Sequence, residues 1–310
     1  NPNFADANHL LGVAMHAYGD LEEAVNYIKR AIKLVPDRSS FHNNLGNLYK
    51  DLNLMDEAVV SLRRALIYDK NNATYHINLG NVLNQMGRYE ESGPHLKKAA
   101  KLQPNSPEVH NNLGLLYQEG HDQLNLASDS FLRAISLRPE YPEALYNLGN
   151  VFAQQFRLKE AVDSFQKAIN LKPDYLEALI NLGNTFTQQE KPNRAIHCYK
   201  EALKIFPKHA ELLINLGNAQ KDVNDFESSI LSFKSAIEIL PDNADAYFNL
   251  ANVLFEKGDI DGAHDQLDLA LSYQPKNTAW RIRQAIMMPV IPSSEEDILL
   301  RRKKLKEKIK

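Results

Sequence analysis

The sequence of 310 residues predicts an all-α solenoid of eight helix-turn-helix repeats with capping helices. Three series in one register predict it, each with a period of about 34 residues. The first is Leu-Gly, which recurs at Leu11, Leu45, Leu79, Leu113, Leu148, Leu182 and Leu216, and returns as Leu250-Ala251. The second is proline at Pro36, Pro104, Pro139, Pro173, Pro207, Pro241 and Pro275. The third is alanine at Ala31, Ala65, Ala99, Ala134, Ala168, Ala202, Ala236 and Ala270. Such a period marks units that bury their apolar faces against their neighbours.

Residues 176–209 illustrate one repeat. Leu182 and Phe186 belong to an apolar stripe at helical spacing, which predicts a first helix. The stripe breaks near Pro192, a residue suited to the first turn of the next helix, and a second helix continues to Pro207.

Small residues at fixed places in each repeat predict close helix packing. Gly183 in the first helix, with Ala195 and Ala202 in the second, would let the helix axes approach. Glycine inside a helix costs roughly 1 kcal/mol relative to alanine, so close packing must offset that cost.

This pattern resembles the tetratricopeptide repeat. The matching features are Leu-Gly, the two alanines of the second helix, the closing proline and an apolar residue three positions after the glycine, seen in Tyr49, Leu83, Tyr117, Phe152 and Phe186. The resemblance covers residues 5–277 and implies a right-handed superhelix whose first helices line a concave groove.

Three local features depart from the pattern. The turn of the fourth repeat has one extra residue near Gly120, and Gln220 replaces an apolar residue in the seventh repeat. Pro94 follows Gly93 inside a second helix, where proline removes a backbone hydrogen bond. We expect a weak point there, unless the start of that helix absorbs the proline.

The two ends suggest a fragment of a longer array. Residues 1–4 read as the remnant of a preceding repeat, because Pro2 stands one repeat length before Pro36. Residues 278–292 read as a capping helix followed by a proline break. The capping side chains that we expect to cover the last repeat are Trp280, Ile282, Ala285 and Ile286.

Residues 293–310 predict a basic helix that leads to a missing domain. Ser293 and Glu296 form a capping-box pattern, and residues 301–310 hold seven positive charges and one negative charge. A solvated helix and a patch for nucleic acid or acidic lipid both remain open for this segment.

The composition indicates no nucleic-acid or membrane partner. The formal net charge is −3, and 44% of the residues are hydrophobic. The mean hydropathy is −0.43. No apolar run approaches the roughly 18 residues of a membrane helix, and no secretory signal is visible. The single cysteine, Cys198, forms no internal disulfide, which predicts a cytoplasmic location.

Asparagines flank each Leu-Gly and form two rows. The leading row is Asn44, Asn78, Asn112, Asn147, Asn181, Asn215 and Asn249. The trailing row is Asn47, Asn81, Asn150, Asn184, Asn218 and Asn252. Residues three apart share a helix face, so the rows predict an asparagine ladder along the groove.

The chemistry of asparagine predicts peptide binding in this groove. A side-chain amide offers an acceptor and donors that complement a peptide bond, so repeated amides can hold an extended polypeptide by its backbone. Each such bond contributes only about 0.5–1.5 kcal/mol. The alternative is architectural, with these amides bonded to neighbouring helices.

An acidic row accompanies the ladder near the start of the first helices, at Asp6, Glu108, Glu143, Glu177, Glu211 and Asp245. These carboxylates either stabilise the helix dipole by roughly 0.3–1 kcal/mol each or recognise basic peptides. The neighbouring inner positions contain no lysine or arginine: His9, Asn43, Ile77, Asn111, Tyr146, Ile180, Ile214 and Phe248. This argues against a clamp for a peptide carboxylate.

No catalytic, metal-binding or cofactor motif is present. The sequence has no phosphate-binding glycine loop, HExxH, GxSxG or paired-cysteine motif, and its ten histidines show no metal-ligand spacing. We therefore predict a chain without catalytic residues, metal or cofactor.

The asparagine rows resemble those of O-linked N-acetylglucosamine transferases and their SPINDLY relatives. The stretch from Trp280 to Ile298 is similar to the segment that joins repeats to the glycosyltransferase domain in bacterial members. The resemblance implies a further domain that binds a UDP-sugar and transfers the sugar to Ser or Thr of proteins held in the groove. Two other classes stay open: a stand-alone scaffold for complex assembly, and a homo-oligomer that associates through exposed ends or convex faces.

Overall fold

The computed structural model describes residues 2–119, 123–287, 298–299 and 303. These residues form seventeen α-helices and contain no β-strand. The prediction of an all-α fold is therefore confirmed. Three sequence predictions lie outside the described residues: the extra residue near Gly120, the proline break at 289–292 and most of the basic helix at 293–310.

The chain divides into two compact units, Asn1–Phe156 and Arg157–Lys310. The helices of unit 1 are α1 Pro2–Tyr18, α2 Leu21–Leu34, α3 Ser39–Asp51, α4 Met55–Tyr68, α5 Ala73–Gln85, α6 Tyr89–Leu102, α7 Pro107–Glu119, α8 Leu124–Leu137 and α9 Pro142–Gln154. The helices of unit 2 are α10 Leu158–Leu171, α11 Leu176–Gln188, α12 Pro192–Ile205, α13 Ala210–Asp222, α14 Phe226–Ile239, α15 Ala244–Lys257, α16 Ile260–Tyr273 and α17 Thr278–Ile286.

Within each unit, a helix packs mainly on the helices before and after it in the chain. Within a repeat, the first helix packs on the second, as α1 does on α2 and α13 does on α14. The second helix then packs on the first helix of the next repeat, as α4 does on α5 and α12 does on α13. This consecutive packing is the arrangement expected of a solenoid.

The odd-numbered helices form the more closely spaced layer in each unit. In unit 1, α1 contacts α3, α3 contacts α5, α5 contacts α7, and α7 contacts α9. In unit 2, α11 contacts α13, and α13 contacts α15. The even-numbered helices in the described part of the chain form no comparable layer. In each unit, we call the exposed side of its odd-numbered helices the odd-helix face.

Six of the seven Leu-Gly glycines lie against a large side chain of the second helix: Gly12, Gly46, Gly80, Gly114, Gly183 and Gly217. A Cβ atom added to Gly80 would lie 2.6 Å from Leu96 Cγ, and one added to Gly217 would lie 2.8 Å from Phe233 Cζ. Ala251, which takes the glycine position in the eighth repeat, is fully buried. The glycine or alanine at this position of the first helix therefore allows the two paired helices to approach each other closely.

The turn between paired helices requires a left-handed backbone. The residues with positive φ in these turns are Gly19, Asn53, Gly87, Phe156, Glu190, Asn224 and Gly258. Glycine adopts this conformation freely, and asparagine tolerates it better than most residues. Phe156 is unusual, because a bulky aromatic residue holds a φ of 58° there. Its side chain is 87% exposed.

Two departures from the repeat pattern have local explanations. The carbonyl oxygen of the Gln220 side chain accepts a hydrogen bond from the Ser232 hydroxyl at 2.7 Å, so the two polar side chains pair in the interior. Helix α6 continues through Pro94. Gly93 precedes the proline, and its missing Cβ avoids the clash that disfavours helical backbone before proline.

Helix α17 covers the last repeat with only part of the predicted set. Trp280 and Ala285 are buried, and Trp280 stacks on Phe248 with ring centroids 4.8 Å apart. Ile282 and Ile286 are 55% and 60% exposed, so the expectation that they cover the repeat is wrong. Their positions in the helix turn them toward solvent.

The buried His76 pairs with the half-buried His95 in the third repeat. His76 Nδ1 lies 2.9 Å from His95 Nδ1, and His76 Nε2 lies 3.1 Å from the Lys70 carbonyl oxygen. This network is satisfied when His76 Nε2–H donates to the carbonyl and His95 donates to His76. Burial of His95, with His76 and Arg63 nearby, holds the pKa of the His95 imidazole below its usual range.

We expect acid to destabilise the fold through His95. Its stabilising neutral form is fully present above the unfolded pKa of about 6.5 and is lost as the pH falls below it. The urea midpoint should fall between neutral and mildly acidic pH, and the fall should be smaller in His95→Gln. An equal fall in both proteins would contradict this assignment.

We expect Gly80→Ala to destabilise the protein, because the added methyl group collides with Leu96. Overpacking costs about 1–3 kcal/mol, which exceeds the roughly 1 kcal/mol that alanine gains in helix propensity. Urea denaturation monitored by circular dichroism measures the change.

Leu96→Ala provides the control for that collision. In the double variant, Gly80→Ala should cost less than it does alone, because the methyl group then has room. Additive losses, or a more stable Gly80→Ala protein, would show that the contact does not limit helix approach.

Candidate functional site

The asparagine rows lie on the odd-numbered helices. All thirteen side chains fall within α3, α5, α7, α9, α11, α13 and α15. Asn112 is 8% exposed and buried, whereas the other twelve are half-buried. Most of the rows therefore border solvent and are not enclosed between paired helices.

In unit 1, leading asparagines bond successive odd-numbered helices to one another. Asn78 Nδ2 donates to Asn43 Oδ1 at 2.8 Å, and Asn43 Nδ2 donates to Asn44 Oδ1 at 3.2 Å. Asn147 Nδ2 donates to Asn111 Oδ1 at 3.2 Å. These bonds support the architectural alternative for the leading row of unit 1.

His9 completes this hydrogen-bonded chain at α1. Its Nε2 lies 2.8 Å from Asn44 Nδ2, and its ring lies against Phe41. Burial lowers the pKa of the His9 imidazole, with Asp6 opposing and Arg38 assisting the shift. The neutral ring can therefore accept the Asn44 amide hydrogen.

In unit 2, several amides lack such partners. Among the described residues, no hydrogen bond engages the side chains of Asn215, Asn218 and Asn249. The residue before the leading asparagine of the preceding repeat explains which amides are bonded. Asn78 and Asn147 come one repeat after Asn43 and Asn111 and bond to them. Asn215 and Asn249 come one repeat after Ile180 and Ile214, and Asn112 of unit 1, which comes one repeat after Ile77, has no side-chain bond to a described residue either. An isoleucine cannot accept the amide hydrogen of the next repeat.

Two trailing asparagines of unit 2 are held through their oxygen atoms. The Tyr199 hydroxyl donates to Asn184 Oδ1 at 2.6 Å, and Arg283 Nε donates to Asn252 Oδ1 at 3.1 Å. Burial raises the pKa of Tyr199 to about 12, which keeps its hydroxyl protonated as a donor. In both cases the asparagine keeps its Nδ2 hydrogens for another acceptor.

Two members of the acidic row have arginine partners. In unit 1, Arg38 pairs with Asp6, and Arg138 pairs with Glu108. Burial opposes ionisation of Glu108, but its own backbone amide, Ser106 and Arg138 keep its pKa below the usual range. These two carboxylates are therefore already occupied.

The described residues show little sign of catalytic or metal chemistry. Within them, no group of three or more His, Cys, Asp or Glu side chains is placed to hold a metal ion. Burial raises the pKa of Cys198 to about 11, which disfavours a reactive thiolate. None of the helices that the structure describes has the length and apolar character needed to cross a membrane.

We expect Asn78→Ala and Asn215→Ala to differ in stability. Both gain the same helix propensity, but only Asn78→Ala breaks a bond between helices and leaves Asn43 Oδ1 without its donor. The Asn78 variant should be less stable by about 1 kcal/mol in urea denaturation. Equal midpoints would show that the inter-helix bond contributes nothing measurable.

Models of the tetratricopeptide repeat match most of the chain. Their matches cover residues 5–38, 39–72, 80–119, 122–155, 140–208, 180–237 and 222–286. No curated protein matches the sequence.

Several solved structures share the fold. YrrB, described as a TPR protein with an unusual peptide-binding site, is 22% identical with a TM-score of 0.52, covering 62% of this chain and 98% of its own. PilF of Pseudomonas aeruginosa is 20% identical with a TM-score of 0.58, covering 69% and 96%. The Cut9–Hcn1 heterotetramer of APC/C contains a chain that is 13% identical with a TM-score of 0.60, covering 89% and 54%.

Proposed function

Because this chain belongs to the tetratricopeptide repeat family, we propose that it is a protein-binding module that holds an extended polypeptide along its odd-helix face. The asparagine rows supply the contacts, and the main chain of the bound polypeptide supplies their partners. The chain itself performs no chemistry on what it holds.

The unpartnered amides of unit 2 carry this proposal. Asn215, Asn218 and Asn249 are half-buried, lie on the odd-numbered helices α13 and α15 of unit 2 and have no partner among the described residues. A partly buried amide without a partner loses hydrogen bonds to water without replacing them, so it favours a ligand that supplies both a carbonyl and an N–H. An extended peptide supplies both at every residue.

Repetition gives such a site its affinity. One amide–peptide bond contributes about 0.5–1.5 kcal/mol, so a single asparagine holds little. Several asparagines in register form several such bonds along an extended peptide, and the total affinity depends little on the side chains of that peptide. YrrB has a similar fold and a peptide-binding site by its own description, which is consistent with peptide binding on this fold.

We expect the triple variant Asn215→Ala, Asn218→Ala and Asn249→Ala to bind extended peptides at least tenfold more weakly, since tenfold corresponds to about 1.4 kcal/mol. Its urea midpoint should not fall, because these amides bond no described residue. Fluorescence anisotropy with a labelled unstructured peptide and denaturation by urea measure the two properties.

A matched control uses three exposed amides on even-numbered helices of the same unit, changed as Gln166→Ala, Asn170→Ala and Asn193→Ala. This protein should bind the peptide as the parent does. Equal binding by the two triple variants would contradict peptide binding by these asparagines. If the first variant lost stability and binding in parallel, the asparagines would have a purely architectural role.

We also propose that the module selects substrates for a protein glycosyltransferase of the O-linked N-acetylglucosamine transferase type. The support is the resemblance of the asparagine rows and of the stretch from Trp280 to Ile298. The test is transfer from a UDP-sugar to Ser or Thr of a bound protein, assayed with the product of the native gene. A native product that binds proteins but has no transferase activity would favour the scaffold alternative.

A further inference from the structure

A continuous chain of hydrogen bonds joins a histidine to three asparagine side chains of unit 1. Asn78 Nδ2 of α5 donates to Asn43 Oδ1 of α3 at 2.8 Å, and Asn43 Nδ2 donates to Asn44 Oδ1 at 3.2 Å. Asn44 Nδ2 in turn lies 2.8 Å from His9 Nε2 of α1. All three amides therefore donate toward α1, and the imidazole nitrogen is the acceptor that ends the chain.

His9 holds the same place in its repeat as Asn43 holds in the next repeat. Each lies two residues before the leucine of Leu-Gly. Among the eight residues at this place, His9 is the one whose charge changes near neutral pH, since the others are asparagine, isoleucine, tyrosine or phenylalanine. The chain ends at Asn78, because the neighbouring Ile77 offers no acceptor to the leading asparagine of the following repeat.

The hydrogen bonds of this chain can run in either of two directions. The oxygen and nitrogen of an asparagine amide occupy nearly equivalent positions, so turning all three amides over keeps every contact and exchanges each donor with its acceptor. In the reversed chain, His9 Nε2–H donates to Asn44. Asn44 then donates to Asn43, and Asn43 donates to Asn78. The proton on Nε2 selects the direction, because a nitrogen that carries a proton cannot accept from Asn44.

The surroundings of His9 favour the neutral ring. Burial lowers the pKa of its imidazole, Asp6 raises that pKa and Arg38 lowers it. Asp6 and Arg38 also pair with each other at 3.1 Å. The neutral form therefore prevails in neutral solution, and the ring becomes protonated only as the pH falls below about 6.5.

The helices packed against α1 bring no further ionisable group to this ring among the described residues. On α3, the His42 ring lies 2.7 Å from the Pro36 carbonyl oxygen, and Asp51 pairs with His16 at 2.8 Å. The charged residues of α2 are not among the groups that shift the pKa of His9: Glu22, Glu23, Lys29, Arg30 and Lys33. A titration of the amide chain therefore reports the His9 ring.

The direction of the chain decides what Asn78 offers to a ligand. Asn78 is half-buried, and no described residue donates a hydrogen bond to its Oδ1. In the observed direction this oxygen is free to accept a hydrogen bond. In the reversed direction an Nδ2–H takes its place and donates instead. A peptide main chain supplies both N–H and carbonyl groups, so each direction takes a different one.

We propose that His9 is a positioning residue that sets the hydrogen-bond polarity of the asparagine chain in unit 1. A neutral ring makes Asn78 an acceptor for a peptide N–H, and a protonated ring makes Asn78 a donor to a peptide carbonyl. One proton on α1 thereby changes the chemistry of the leading row two repeats away. The consequence for peptides rests on the proposed backbone recognition, whereas the polarity of the chain does not.

NMR of the whole, isotope-labelled 310-residue chain tests the polarity without a ligand. At neutral pH, His9 should carry its proton on Nδ1. As the pH falls, the side-chain amide signals of Asn43, Asn44 and Asn78 should shift with the same midpoint as the His9 ring. A neutral ring with its proton on Nε2, or amide signals that stay fixed while His9 titrates, would overturn the proposal.

His9→Gln removes the titration and keeps a hydrogen-bonding group at the end of the chain. The Asn78 signals should then be the same at neutral and mildly acidic pH. The matched control is His16→Gln, which changes a second histidine of α1 that also bonds to α3 but lies outside the chain. Its Asn78 signals should shift as they do in the parent, and the same behaviour in both variants would contradict the assignment to His9.

Asn44→Asp separates the ring from the rest of the chain. A carboxylate only accepts hydrogen bonds, so Asn43 keeps donating to it whether or not His9 is protonated. His9 should still titrate in this variant, and the Asn78 signals should not follow it. Asn78 signals that still shift with His9 would overturn the proposed connection through Asn44.

Two model amides test what Asn78 offers. N-methylacetamide has both a carbonyl and an N–H, whereas N,N-dimethylacetamide has only the carbonyl. The first should shift the Asn78 signals at neutral and at mildly acidic pH, and the second only at mildly acidic pH. The Asn215 signals serve as the control, because this amide lies outside the chain and should respond alike at both values.

The outcomes separate this inference from the proposed function. If Asn78 responds alike to both amides at both values of pH, the role of His9 in presenting Asn78 is overturned, and peptide binding by unit 2 is untouched. If the anisotropy assay shows no peptide binding while the amide signals still follow His9, backbone recognition fails and the polarity of the chain stands.

Discussion

The contact between a first-helix glycine and a large side chain of the second helix determines how each repeat is built. Leu96 against Gly80 and Phe233 against Gly217 leave no room for a methyl group between the paired helices. This contact fixes which side of the first helix faces its partner. The asparagines on either side of Leu-Gly then lie beside that contact, at positions that repeat along each unit and border solvent.

The residue before the leading asparagine of one repeat decides whether the leading asparagine of the next repeat is bonded inside the protein. With Asn43 or Asn111 there, the next amide bonds to it and the two helices are joined. With Ile180 or Ile214 there, the preceding repeat offers no side-chain acceptor at that position. Where this position is asparagine, the next leading amide is bonded within the fold. Where it is isoleucine, as at Ile180 and Ile214, the next leading amide is available to a ligand.

The sequence predicts the fold in detail because its periodicity is strong and local. The helix pairs, the close packing at glycine and the closing of each second helix near the proline all follow from short-range spacing. The bonding of individual amides does not, because it depends on rotamers and on which residue of the previous repeat lies opposite. The exposure of Ile282 and Ile286 was missed, although their alignment with Phe248 and Asn252 in the repeat register was already present in the sequence.

Binding of a peptide main chain by the asparagine side chains is tested most directly by chemical change of that main chain. Isothermal titration calorimetry would compare an unstructured decapeptide of alternating serine and threonine with a copy whose amide nitrogens are methylated, so that the side chains stay the same while the N–H donors are lost. The account predicts that methylation abolishes most of the binding and that Asn215→Ala, Asn218→Ala and Asn249→Ala abolish the difference between the two peptides. Equal affinity for both peptides in the parent chain would contradict it.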